Sequence, residues 1–295
     1  MSLLTNIIKS MRIKHWIKNL FLFAPLIFGG KLLIGADFTK TVLAFLVFCI
    51  VTSATYIIND IADRKRDRFH PEKQKRPITS GALGVEQASF TAVLLIIIAG
   101  LLSTCLDIPL LIVITLYVLL HLLYSFILKR EVILDVIIIA MGFELRIWAG
   151  AVVLRIIPSI WLQLCVFLLA IFLGLIKRRH EKISLYAHAA KHRDVLVHYK
   201  VYFLDQLIMI SAALCVVFYG LYTVSPDMVQ RIGSTYMAYT IPFVIYGIFR
   251  YLFIVHARKK GGDPSEILMS DMPFLIDILL WMVTVILLLY FGPKP

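Results

Sequence analysis

The second long apolar block of the chain runs into Asn59-Asp60-Ile61-Ala62-Asp63-Arg64-Lys65-Arg66-Asp67. Continued as a helix, this stretch sets Asp60, Asp63 and Asp67 at i, i+3 and i+7 on one face, with Asn59 beside them. Carboxylates stacked this way repel unless a cation neutralises them. Oxygen-only ligands that keep waters and share an ion with phosphate oxygens suit Mg2+. Asn59, Asp60, Asp63 and Asp67 are therefore the candidate metal ligands. The bland alternative is a solvated helix end paired to Arg64, Lys65, Arg66 and Arg68. The adjoining stretch favours the metal: His70-Pro71-Glu72-Lys73-Gln74-Lys75-Arg76-Pro77 is an abrupt basic run closed by prolines. Carboxylates that hold a cation, next to cations that hold phosphate oxygens, are the two halves of a metal–diphosphate site. Lys73 and Arg76 are its candidate phosphate ligands.

The elements that carry these residues are apolar. Of 295 residues, 60% are hydrophobic and 16% charged, with a mean hydropathy of +0.89. A soluble domain is usually about 45–50% apolar and about 25% charged, so an ordinary globular enzyme is excluded, and so is a disordered chain. The apolar residues fall in blocks of about 18–22, enough for a bilayer core of ~30 Å. They predict nine spans: 16–34, 41–58, 88–105, 108–127, 133–154, 159–176, 205–223, 236–256 and 272–291. The fold class is thus an all-α polytopic membrane protein, one domain over 1–295. Its nine helices would surround a central cavity open to the cytoplasm and to lipid.

Net charge is +12, carried in short loops rather than as a soluble patch, which speaks against nucleic acid. Of the thirty Lys and Arg residues, 23 fall before the first span or in the loops that nine spans place on the same side. Only Lys31, Lys40, Arg155, Arg231 and Lys294 fall on the other. The positive-inside rule then puts the N-terminus, the basic loops and the chemistry at the cytoplasmic face of a plasma (inner) membrane. Lys9, Arg12, Lys14 and Lys18 ahead of an apolar run read as topology signals on a retained first helix. The four cysteines occupy separate apolar blocks and read as core residues.

Two further positions stand out. Arg146 lies eleven residues beyond Asp135, about 16 Å deeper and within about 20° of the same helix face. A charge at that depth is functional by default. Glu144 points elsewhere, because residues two apart do not face each other on a helix. After the sixth span, Lys177-Arg178-Arg179-His180-Glu181 sets four potential cations around one carboxylate.

Asn-Asp-x-x-Asp-x-x-x-Asp at the end of a second span, in a nine-span chain, resembles the UbiA superfamily of intramembrane prenyltransferases. The resemblance covers essentially the whole chain. It implies Mg2+ held by two acidic motifs, after the second and sixth spans, but here the second is replaced by the basic stretch around Glu181. That stretch is similar to one branch, the decaprenyl-phosphate phosphoribosyltransferases. Similar too are Tyr124-Ser125, Lys129-Arg130, Asp135, Gly142-Phe143-Glu144-Leu145-Arg146 and the opening His15-Trp16-Ile17-Lys18-Asn19. The branch implies 5-phosphoribosyl 1-diphosphate (PRPP) as donor, a polyprenyl phosphate as acceptor and a role in cell-envelope glycolipid precursor synthesis. It assigns catalysis to Asp60, Asp63, Asp67, Lys177 and Glu181. Substrate binding falls to Lys18, Lys73, Arg76, Tyr124, Lys129, Arg130, Asp135, Arg146 and Arg178. It leaves room for a homo-oligomer. A standard UbiA-type transfer of a prenyl chain from its diphosphate to an aromatic acceptor is the alternative. A lipid flippase is the rival from another class, but it lacks inverted repeats and leaves the aspartates unexplained.

Overall fold

A computed structural model of the protein describes residues 2–69, 72–184, 195–257 and 270–292. His70 and Pro71 of the basic run lie outside the described residues, as do the basic residues of 185–194 and 258–269. Among the described residues all regular structure is helical, as the apolar blocks require.

Among the described residues, eight helices are long and apolar enough to cross a membrane. In chain order, the first part of the protein holds α1 (Leu3–Met11), α2 (Ala24–Phe28), α3 (Gly35–Asp67), α4 (Pro77–Ser80), α5 (Val85–Leu106), α6 (Ile108–Phe126) and α7 (Leu134–Val153). Next come α8 (Ile160–Ser184), α9 (Val195–His198), α10 (Val201–Thr223), α11 (Pro226–Ile232), α12 (Ile241–Ala257) and α13 (Met272–Phe291). The spanning helices are α3, α5, α6, α7, α8, α10, α12 with the turn before it, and α13. They match eight of the nine expected spans. Outward-facing Phe90, Val93, Ile97 and Leu101 on α5 are exposed, an apolar stripe that lipid rather than water would cover.

The expected first span is not one helix. Ile13–Phe23 is a 3-10 helix of 11 residues, far longer than the usual three or four. It passes into the short α2, which has Pro25 in its first turn. At 2.0 and 1.5 Å per residue these two pieces together measure about 30 Å, the thickness of a bilayer core. Contacts show that these pieces run antiparallel to α3. Arg12, before the segment, pairs with Asp60 near the end of α3, whereas Lys31, after it, lies 3.4 Å from Asp37 at the start of α3. The poorer 3-10 geometry is supported by side chains. Trp16 Nε1 donates to Ser53 Oγ at 3.0 Å, and Asn19 Nδ2 donates to Thr52 Oγ1 at 3.2 Å.

Packing divides the chain, expected as one domain, into two compact units. Met1–Ile157 with Ala187–His198 forms one, and Pro158–Tyr186 with Tyr199–Pro295 the other. The first is centred on α3, against which α5, α6, α7 and the 3-10 segment pack. Leu22, Leu26, Phe48, Val51, Leu110, Ile114, Tyr117 and Ala149 fill its core. In the second, α8 lies along α10. The Tyr219 hydroxyl there accepts from Trp281 Nε1 at 2.8 Å and meets Thr240 Oγ1 at 2.7 Å.

One glycine sets the approach of the 3-10 segment to α7. A Cβ at Gly150 would lie 2.0 Å from the Leu22 carbonyl oxygen, a backbone atom that cannot swing aside. Gly150→Ala should therefore cost about 1–3 kcal/mol, the usual range for overpacking, read as a lower unfolding temperature in detergent. A variant that melts with the parent would show that the segment packs elsewhere.

The length of α3 matters most for the site. Its 33 residues extend ~50 Å, about 20 Å more than a ~30 Å hydrocarbon core. The helix does continue through the acidic stretch, so Asp60, Asp63 and Asp67 share the face that the sequence predicts.

Candidate active site

The acidic face of α3 is closed by three basic side chains from other parts of the first unit. Asp60 and Asp67 are buried, at 1% and 6% exposure, and Asp63 is half-buried. Arg12, the residue between α1 and the 3-10 segment, pairs with Asp60 Oδ1. Arg76 Nη1 donates to the same oxygen at 3.0 Å and to Asp67 Oδ2 at 2.5 Å. Lys129 Nζ donates to Asp63 Oδ1 at 2.6 Å, and Ser125 Oγ to Asn59 Oδ1 at 3.3 Å.

Local sequence explains how these cations arrive. Pro77 opens α4 and, by clashing with a helical predecessor, holds Arg76 extended (φ −65°, ψ 143°). The chain thus breaks after α3 and brings the Arg76 side chain back across two of its turns. Lys129 sits in the 3-10 turn Leu128–Arg130 just after α6. Arg12 has a left-handed backbone (φ 52°, ψ 52°), unusual for a residue with a Cβ.

The cluster holds three cations against three carboxylates, so it is neutral. Burial pushes the Arg76 pKa down and the nearby Arg12 charge adds to this, while Asp60, Asp67 and Asp63 hold it up. Removing one partner of such a buried pair typically costs about 3–5 kcal/mol.

Among the described residues no three His, Cys, Asp or Glu side chains converge as ready-made ligands for a metal ion. The donor chemistry nevertheless fits Mg2+. Every potential ligand on the stripe is a hard oxygen, and Arg76 already bridges Asp60 and Asp67 as a cation would. A metal ion there would compete with these guanidinium groups for the same carboxylates.

Deeper in the first unit, Arg146 is 4% exposed. Its Nε donates to Asn19 Oδ1 at 2.9 Å, Nη1 to the Gly142 carbonyl at 2.6 Å and Nη2 to the Tyr117 hydroxyl at 3.0 Å. The guanidinium also lies 5.0–5.5 Å from the ring centroids of Phe48, Tyr117 and Phe143. His121 stacks on Tyr117 at 4.0 Å. The sequence placed Arg146 and Asp135 before one cavity. In the structure Asp135 is fully buried, and Arg146 is engaged by protein groups. Glu144 is not its partner, and Glu144 Oε1 is buried without a hydrogen bond. The other candidates of this unit differ in access: Lys18, Lys73 and Tyr124 are half-buried and Arg130 is exposed. A cleft lined by Asp107 and Arg155 and another lined by Tyr202 and Gln206 include none of these residues.

In the second unit, the end of α8 carries the basic stretch. Arg178, 1% exposed, donates to Glu181 Oε2 at 2.8 Å one turn away. Arg179 Nε donates to Asp205 Oδ1 at 2.5 Å, and Lys177 is half-buried. Glu181 thus holds Arg178 in place. Arg12 and Asn19 escaped the sequence reading as site residues. Asn19 did carry a signal, as a polar amide inside an apolar block.

The UbiA prenyltransferase family profile matches residues 22–272. Over 99% of its length the chain is 34% identical to the decaprenyl-phosphate phosphoribosyltransferase of Mycolicibacterium smegmatis, covering 94% of that protein. It is 33% identical to the protein of the same name from Corynebacterium glutamicum, again over 99% of the chain and 89% of the relative. Among solved structures, a UbiA homolog from Archaeoglobus fulgidus bound to GPP and Mg2+ superposes with a TM-score of 0.74. That match is at 18% identity and covers 96% of this chain and 99% of the other.

Proposed function

The chain belongs to the UbiA prenyltransferase family, and from that premise we propose that it transfers 5-phosphoribosyl from PRPP to a polyprenyl phosphate, releasing diphosphate. The carrying observation is the charge pattern. One acidic stripe on α3 is matched by cations one for one, and α8 ends in Lys177-Arg178-Arg179-His180-Glu181 where a second acidic motif would stand. PRPP has a 5-phosphate besides its diphosphate, so its recognition calls for more cations than a lipid diphosphate does. The similarity to two decaprenyl-phosphate phosphoribosyltransferases over nearly the whole chain supports the same reading.

Asn59, Asp60, Asp63 and Asp67 would hold Mg2+, which supplies charge neutralisation to the departing diphosphate. Lys73, Arg76, Lys129 and Arg130 bind phosphate oxygens, and Lys177 and Arg178 are assigned the same work, with Glu181 orienting Arg178. Lys18, Tyr124 and Asp135 are assigned to substrate positioning. A lipid phosphate oxygen, already ionised at neutral pH, bonds to the anomeric carbon as the bond from that carbon to the diphosphate oxygen breaks. The electron pair leaves with the diphosphate, and no general base is needed. The excess of Lys and Arg in the loops on one side of the spans supports a cytoplasmic location for this chemistry, at a plasma membrane, by the positive-inside rule.

The test is a choice of donors. Purified protein with Mg2+, labelled PRPP and a polyprenyl monophosphate should form a phosphoribosyl lipid, and omitting the lipid should stop diphosphate release. Consumption of a prenyl diphosphate with an aromatic acid, and indifference to PRPP, would overturn the assignment while leaving the family intact.

A further inference from the structure

Arg12 lies 48 residues from Asp60 and outside the acidic motif, yet it pairs with the most buried carboxylate of the site. Four observations set it apart from a topology signal. It shares Asp60 Oδ1 with Arg76, so two guanidinium groups crowd one oxygen. Its left-handed backbone is a conformation unfavourable for a residue with a Cβ, strain of a kind that gathers at functional sites. The helix before it is fastened down: Ile7 and Met11 pack on the cluster of Ile57, Ile78 and Leu83, and Asn6 Nδ2 donates to the Ala82 carbonyl at 3.0 Å. Finally, its guanidinium lies 5.2 Å from the ring centroid of Tyr56, one turn before Asp60, and its side chain keeps 19% of its surface exposed.

Charge balance then constrains what can bind. With three cations on three carboxylates, a divalent ion alone would leave the cluster at +2 in a half-dry site. An anion that arrives with the metal offsets this charge, and a guanidinium that leaves its carboxylate can then meet that anion. In the empty protein Arg76 also bonds Asp67 and Lys129 bonds Asp63, whereas Arg12 pairs with an oxygen that Arg76 holds as well, so its release leaves each carboxylate with a cation.

We propose that Arg12 is a positioning residue for the metal site: it holds Asp60 in the empty protein and releases it when a divalent cation binds together with a diphosphate, whose oxygens the freed guanidinium then meets. This rests on the reading of Asp60 as a metal ligand. It makes metal and diphosphate binding mutually dependent, with Arg12 as the group that couples them.

The test is direct binding of Mn2+ to the full-length protein, followed by electron paramagnetic resonance, with and without inorganic pyrophosphate. The parent should bind Mn2+ weakly alone and much more tightly with pyrophosphate. Arg12→Gln should bind Mn2+ alone about tenfold or more tightly than the parent, since one repelling charge is gone, and should gain less from pyrophosphate. A merely structural role predicts the opposite sign, weaker binding in both conditions. Arg12→Lys, which keeps the charge but bonds Asp60 through fewer donors, should shift in the same direction by less, and it carries the test if Arg12→Gln does not fold. Unchanged Mn2+ affinity in both variants, with the parent binding Mn2+ and pyrophosphate and Asp60→Asn losing them, would refute the role of Arg12 and keep the metal site. No Mn2+ binding by the parent in either condition would remove the metal site, and this proposal with it.

Discussion

Asp63→Asn is expected to lower phosphoribosyl transfer by about 10²–10³-fold, the effect of losing one electrostatic contact to a developing charge, in a protein that still folds. Asp63 is the informative aspartate because it is half-buried and meets one cation, Lys129, at 2.6 Å. Asparagine keeps an amide oxygen able to accept from that ammonium, so the melting temperature should move little. Asp60→Asn is a harsher probe. It removes the carboxylate that two arginines share and should destabilise the protein as well as inactivate it. Activity measured at limiting Mg2+, with melting curves in parallel, separates the two effects. Full activity of Asp63→Asn at low Mg2+ would sink the assignment of the stripe to the metal.

Arg146→Leu should be strongly destabilising, by about 3 kcal/mol or more. Three acceptors, on Asn19, Tyr117 and Gly142, lose their donor, at about 1 kcal/mol or more for each buried group left unsatisfied. Arg146→Lys should recover little, because one ammonium cannot serve three acceptors set around a planar fork. Unfolding in detergent measures this, and activity should fall only in step with the folded fraction. A variant that melts like the parent but binds the lipid acceptor poorly would return Arg146 to the substrate, the role its depth suggested in the sequence.

The two readings of Arg146 show where sequence reasoning reached its limit. Depth and face follow from helix geometry, so a buried charge on one side of α7 was legible. Its partner Asn19 is 127 residues away, and no local pattern links them. Eight spans were legible because hydropathy summed over some twenty residues is a strong signal. The stretch before α3 was legible as an apolar run but not as a 3-10 helix, since both helix types draw on the same apolar residues. What distinguishes them is the set of side-chain bonds from Trp16 and Asn19 to α3. The acidic stripe was legible because i, i+3 and i+7 is a purely local relation. Its pairing with Arg12 and Lys129 is tertiary, and there composition recorded only an excess of positive charge.

The overhang of α3 beyond the hydrocarbon core has a kinetic meaning for the proposed reaction. The aspartates ride on the last eight residues of this helix, and on the proposed reading, with that end in the headgroup and aqueous layers, the two substrates reach them through spaces of different dimension. A soluble sugar diphosphate arrives from a volume and is counted in moles per litre. A polyprenyl phosphate arrives along a surface and is counted as a mole fraction of the lipid around the protein. Turnover then follows the composition of the membrane rather than its amount. A cell can set the rate by how densely it stocks the bilayer with acceptor, independently of how much bilayer it makes.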